Sequence, residues 1–314
     1  MTILTFMIAY SAVAIFVVAV VLRFLMWSRM PMHVRWELYP VAHEGAKASY
    51  GGSYLEESEW WKRPRHFSLW GELRAMVPEI LFLVALKEHN PRLWTRSFPF
   101  HFGLYLAAGS TGLMAVAGVL GVALPGVMAG GVGAVVRVLI PVLGYAGLVL
   151  GLIGALGLIQ RRRQRPLRDY SAPMDTVNLV FFVLAFSVAL VTALAVDRSF
   201  ATVSQLVGNL ATFRVVPLAG TGAAVILPSV SAILLAMLLA YIPLTHMSHF
   251  VGKYFTYHAV RWDDAVARRG GSIEKTMAAY LAYRPTWAAP HVTADGSRTW
   301  ADIAASLPPD KVKR

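Results

Sequence analysis

The sequence predicts an all-α integral membrane protein: a bundle of five transmembrane helices, amino terminus out and carboxyl terminus in, with interfacial amphipathic helices on the cytoplasmic side. Three observations carry this. Hydrophobic residues make up 57% of the 314 positions. Several apolar runs exceed the ~18 to 20 residues that take a helix across hydrocarbon. These runs are continuous rather than alternating, and a bilayer accepts only helices or closed barrels, so strands are a poor fit.

The spans fall at roughly 3–27, 98–123, 132–159, 174–196 and 223–250. The first has no basic leader and no small-residue cleavage pattern, and reads as a retained span rather than a signal peptide. The connections alternate in charge. Segment 28–97 is rich in Lys, Arg, Trp and acidic residues, and the third span is followed by Arg161, Arg162, Arg163, Arg165 and Arg168. Loop LPGVMAGGVG carries no charge, and loop 197–221 holds only Asp197, Arg198 and Arg214. The positive-inside rule then puts 28–97, the Arg cluster and the tail from Lys253 onward in the cytoplasm. The formal charge of +12 is thereby read as topology and leaves no nucleic-acid partner.

Within 28–97, HFSLWGELRAMVPEILFLVALKEH mixes aromatic, apolar and charged residues as interfacial helices do. Its apolar run 78–86 is too short to span. The division expected is a five-helix membrane domain over 1–265, including the cytoplasmic segment 28–97, and a cytoplasmic tail over 266–314 that past about Gly270 is extended or ordered by a partner. No internal repeat is visible, which argues against a transporter built on inverted halves.

The chain has no cysteine, so it offers no thiolate for zinc or an iron–sulfur cluster. Its nine histidines are unevenly placed, with none over 102–245. His101 lies near the cytoplasmic start of the second span, and His246 and His249 at the cytoplasmic end of the fifth. Antiparallel spans put His101 and His249 at similar depth. Strongly polar side chains in a membrane usually face a bundle interior with a partner, and bis-imidazole ligation of haem is the simplest function for such a pair. The alternative is two interfacial histidines with wet tips. Ala108 and Gly112 follow His101 on one stripe and leave room for a flat cofactor, but small residues equally permit close helix packing. For the stripe alone, packing is the reading adopted.

The motifs FHFGLYL…G and IPLTHMSHF resemble the cytochrome b gamma subunit of respiratory nitrate reductase. The first resembles that family's F-H-x-G-x-L pattern. The second resembles its proline followed six residues later by a ligand histidine, here Pro243 and His249. RWELYPVAHEG, GGSYLEESEWWKRPR, PEILFLVALKEHNPRLW and KYFTYHAVRWDD resemble a branch of membrane cytochromes from sulfite-reduction and related complexes, whose cytoplasmic partners are similar to heterodisulfide reductase. The resemblance implies haem b held by His101 and His249 as iron ligands, with His246 as a second choice or a propionate contact. The family's second haem uses histidines at positions that here are Thr111 and Ser231, and neither replaces an imidazole. One haem is therefore expected. Met114 and Met237 are thioether ligands only in principle, since methionine in an apolar helix usually packs.

These expectations make the chain an electron-transferring subunit between a quinone such as menaquinone and a cytoplasmic iron–sulfur or heterodisulfide-reductase-like subunit, in a bacterial or archaeal cytoplasmic membrane. The alternative is a haem-free anchor for a cytoplasmic redox enzyme. Residues 30–94 and the stretch from Arg261 onward are the expected docking surface, or equally a contact with anionic lipid. His33 and His43 flank RWELYP as part of it, while His66, His89, His258 and His291 are expected to be solvated or partner-facing. For the quinone, Arg137 is either a head-group ligand or a snorkelling cation. Asp175 and Asn178 open the fourth span, where Asp175 also suits a helix amino terminus.

Overall fold

A computed structural model describes residues 2–30, 39–45, 47–287, 292 and 294–306. His33 and His291, with the roles expected of them, lie outside these residues. The described chain is helical in its regular structure, with no β-strand among its elements. Five helices are long and apolar enough to cross a membrane: α1 Thr2–Ser28, α4 Pro91–Ala123, α6 Gly131–Arg162, α8 Pro173–Ala195, and a fifth span over Ala223–Leu244 whose regular part is α10 Ala223–Tyr241. Between them lie α2 Leu69–Phe82, α3 Val84–His89, α5 Pro125–Ala129, α7 Leu167–Tyr170 and α9 Ala201–Ala211, and beyond them α11 His249–Phe255, α12 Ser272–Leu281 and α13 Trp300–Ala304. Two compact units result, Met1–Phe24 with Trp70–Val251, and Leu25–Leu69 with Gly252–Arg314.

In the larger unit α4 and α6 are held backbone to backbone by glycine. A Cβ on Gly103 would sit 2.3 Å from the Gly151 nitrogen, one on Gly147 2.6 Å from the Ala107 nitrogen, and one on Gly154 2.2 Å from the Phe100 nitrogen. The partner numbers fall along α6 as they rise along α4, so the helices are antiparallel. The Ser110 hydroxyl adds a buried bond to the Ile140 carbonyl at 2.8 Å. Phe186 of α8 fills the space beside Gly151, and Tyr241 of α10 meets Asn178 of α8 while Leu227 meets Thr192. The result is an up-and-down bundle with a core of Phe100, Leu148, Phe182, Phe186 and Leu238. One end carries His101, Arg162, Asp175 and His246, and the other carries α5 and α9.

Loop 197–221 is more ordered than its composition suggests. Asp197, only 5% exposed, accepts from the backbone N–H groups of Thr202 and Val203 at 3.0 Å and so satisfies two free donors at the start of α9. Gly208 then lies against Gly118 of α4, and Leu206 packs with Phe6 of α1 and Leu218. The signal for this helix is the apolar spacing Val203, Leu206, Val207, Leu210 behind an aspartate.

The segment before α4 divides as its breakers direct. Leu83, at φ 52°, ends α2 and starts α3, and no residue of either helix is buried. α4 begins at Pro91, capped by the Asn90 side chain on the Leu93 N–H at 3.1 Å. At 33 residues, it is roughly 50 Å long, well beyond the ~30 Å hydrocarbon core. Its first turns, with Arg92 and Arg96, are the surplus.

In the smaller unit, Tyr54 donates to Asp264 at 2.7 Å, Arg65 pairs with the same carboxylate, and Lys47 bonds Glu57 at 2.5 Å. The tail is not simply extended. It forms α12, and α13 is capped by Thr299, which exchanges bonds with Asp302 in a capping box.

This packing sets two stability expectations. Gly103→Ala drives a methyl into the α6 backbone and should cost roughly 1–3 kcal/mol, whereas Gly112→Ala, with nothing within 4 Å of its Cβ, should be neutral; thermal unfolding in detergent separates them. Asp197→Ala should lower the midpoint by the equivalent of about 1–2 kcal/mol through loss of the α9 cap, and equal stability of the variant would refute the capping role.

Candidate functional site

The site is built at the end of the bundle where α4 begins and α10 stops. His101 sits ten residues into α4, held in place by the α4–α6 glycine contacts beside it. Its Nδ1 lies 2.8 Å from the Ser97 carbonyl, one turn back. A carbonyl can only accept, so Nδ1 carries the proton and Nε2 is left bare, the tautomer of a metal-ligating imidazole whose second nitrogen is tethered. Phe100, packed on Phe182 at 5.0 Å between centroids, backs the ring edge-on.

His249 arrives by a different route from the one its sequence implies. The fifth span ends at Leu244, not at residue 250. Pro243 has no N–H to give the carbonyl one turn back, and the helix tightens into a 3-10 turn over Ile242–Leu244. Thr245 is extended and its hydroxyl accepts from the Met247 N–H at 3.2 Å, starting a second turn over His246–Ser248. Arg23 of α1 satisfies the carbonyls this frees, donating to Pro243 at 3.2 Å and Leu244 at 3.3 Å. His249 therefore opens α11 as a separate element.

The two imidazoles meet with centroids 6.1 Å apart and planes crossed at 66°. Two imidazoles this close could share one metal ion, each ring nitrogen about 2 Å from it. Along α4, Ala108 is exposed and a Cβ on Gly112 would find open space. Close packing is thus not what this stripe serves among the described residues. Gly103, Gly147, Gly151 and Gly154 perform that task instead.

His246 does not join the pair. Its Nε2 is 3.3 Å from Asp175, which also takes the Arg162 guanidinium at 2.8 Å and the Ala172 N–H at 3.0 Å. Asp175 is therefore a helix amino-terminal charge and a junction of three elements, which its sequence position alone does not reveal. One turn along α8, Asn178 is 2% exposed and accepts the Tyr241 hydroxyl at 2.7 Å, while its amide nitrogen has no hydrogen-bond partner among the described residues.

The remaining candidates are placed as follows. Met114 is buried in the apolar core, Met237 is half exposed, Thr111 turns its hydroxyl back to the Ala107 carbonyl at 3.0 Å, and Ser231 is buried. Arg137 donates to the Met128 carbonyl at 3.0 Å. His89 ends α3, and His258 stacks on Tyr254 at 4.1 Å with Nδ1 bonded to the Tyr254 carbonyl. His43 and His66 lie in the smaller unit with ring centroids 6.0 Å apart. No protein-family model, curated protein or solved structure matches the chain.

Proposed function

We propose that the chain is a membrane cytochrome b subunit of a respiratory complex, moving electrons between a membrane quinone such as menaquinone and a cytoplasmic iron–sulfur or heterodisulfide-reductase-like subunit. The observation that carries the reading is the His101–His249 pair at 6.1 Å, with His101 locked in the ligating tautomer. Bound there, haem b would supply one-electron transfer. The chain's part would be to hold the His101 and His249 imidazoles close together, which the α4–α6 glycine contacts do for His101 and the Pro243 break does for His249.

Orientation belongs to the same reading. Arg23, Arg161, Arg162 and Arg168 gather at the histidine end, so the positive-inside rule makes that end cytoplasmic and the end with α5 and α9 outer. α2, with Trp70, Leu73, Val77, Ile80 and Leu81 exposed, is then an interfacial helix, and the exposed Trp61, Arg63 and Phe67 are available to a docking subunit. The multi-pass chain sits in a bacterial or archaeal cytoplasmic membrane.

For the quinone head, the Asp175–His246 pair would take a proton from a quinol hydroxyl, whereas Asn178, 2% exposed, lies too deep to meet it. A haem-free anchor is the second reading, favoured only by the size of the exposed aromatic and basic surface.

The visible spectrum decides between them. The purified, dithionite-reduced chain should show the α band of a b-type haem, and His101→Ala and His249→Ala should each abolish it; a colourless protein rules out the cytochrome. Asp175→Asn should leave dithionite-reduced absorbance intact but slow quinol-driven haem reduction by roughly 10²-fold or more, and an unchanged rate places the quinone elsewhere.

A further inference from the structure

Arginine gathers where α4 begins and α6 ends, and the packing of those two helices decides which residues meet. Gly103 lies against Gly151, Ala107 against Gly147 and Phe100 against Gly154, and at the next step a Cβ on Gly157 would sit 3.0 Å from Cγ of Arg96. One further turn in the same register sets Arg92, the second residue of α4, opposite Arg161, the penultimate residue of α6. Three guanidinium groups thus share one end of a single helix seam.

The three differ from the arginines around them in what they bond. Arg162 pairs with Asp175, and Arg165 and Arg168 both pair with Asp169. Arg92, Arg96 and Arg161 form no ion pair among the described residues, and Glu88, the nearest acid before α4, forms none either. Arg96 turns one terminal nitrogen back to the Arg92 carbonyl at 2.7 Å and the Thr95 hydroxyl at 2.8 Å, and Arg161 gives one to the Arg165 carbonyl at 3.3 Å. Those bonds hold both side chains toward the end of the bundle and leave most of their N–H donors unused.

Helix electrostatics alone does not account for this placement. Arg161 closes α6, where the helix dipole favours a cation, but Arg92 and Arg96 open α4, where it disfavours one. Like charges one turn apart also repel, the more so beside a medium of low dielectric. An anion seated among them reverses both effects.

Depth narrows the choice of anion. The Trp94 ring stacks on Phe98 at 4.8 Å and its indole N–H donates to the Phe82 carbonyl at 2.8 Å, as an anchored aromatic does at a membrane boundary. Trp94 stands between Arg92 and Arg96, in the turns by which α4 outruns the hydrocarbon core. Deeper along α6, Leu156 and Ile153 are exposed and offer apolar surface to an acyl chain. A phosphate diester that carries its own hydrocarbon satisfies both levels, and guanidinium forks match its oxygens in pairs.

We propose that Arg92, Arg96 and Arg161 bind the phosphate of an anionic phospholipid at the end of the α4–α6 seam. The site uses none of the residues assigned to haem or quinone, so its fate is separate from theirs. The test follows the unfolding midpoint of the full chain, stripped of lipid in detergent, on addition of phosphatidylglycerol, phosphatidylcholine or inorganic phosphate. Phosphatidylglycerol should raise the midpoint saturably, and the other two should not. Arg96→Gln/Arg161→Gln should weaken phosphatidylglycerol binding roughly tenfold or more. Arg165→Gln/Arg168→Gln removes the same charge from arginines that already have a carboxylate, and should leave binding unchanged. Should the first double variant fail to fold, Arg92→Gln, which alters only an exposed side chain, should still weaken binding severalfold. Equal weakening in the two double variants overturns the site, because diffuse surface charge then suffices. A shift with phosphatidylcholine as large as that with phosphatidylglycerol overturns the role of the arginines, and the same shift with inorganic phosphate at equal concentration overturns the lipid in favour of a soluble anion.

Discussion

The close approach of α4 and α6 is the constraint on which the rest of the larger unit depends. Between helices in a membrane, the apolar driving force that packs soluble cores is largely absent, because lipid tails are as apolar as leucine. What remains is surface complementarity, and here glycine provides it. Gly103, Gly147, Gly151 and Gly154 let the two backbones meet without side chains between them. The rotation of α4 is thereby set. Phe100, Gly103 and Ser110 turn inward, while Ala108 and Gly112 face a side that no neighbouring helix fills among the described residues.

The second constraint is the accounting of polar backbone where helices end. Each terminus at depth must find a partner for groups that lipid cannot satisfy. Asp197 does this for α9, and Asp175 for α8. Arg23 does it for the fifth span, where Pro243 forces an early end. That last repair has a functional consequence. Because the chain leaves helical geometry at Leu244 and restarts at His249, the imidazole of His249 is aimed by a pair of tight turns rather than by the axis of α10.

Much of the candidate site is legible in the order of the residues. His101 and His249 stand out because a long histidine-free stretch separates them and because antiparallel spans bring their depths together. The Arg162–Asp175–His246 junction is not legible there, since it joins three elements through side chains whose reach depends on how the helices rotate. The same is true of His43 and His66, whose rings stand 6.0 Å apart in the smaller unit beside the Tyr54–Asp264–Arg65 bonds. The small residues Ala108 and Gly112 suggest packing by composition, yet they lie open. Composition identifies small residues, but only the neighbouring helix decides whether they are covered.

Residue order is enough to mark the five apolar spans, the sorting of basic residues among the connections and the lack of thiolate chemistry, because length, apolarity and residue type are properties of the chain taken locally. Packing in three dimensions was needed to stop the fifth span at Leu244, to fold loop 197–221 as α9 against α4, and to bring the His101 and His249 rings to 6.1 Å. Those outcomes depend on groups far apart in the chain satisfying one another's hydrogen bonds and filling one another's space, and no local pattern encodes that.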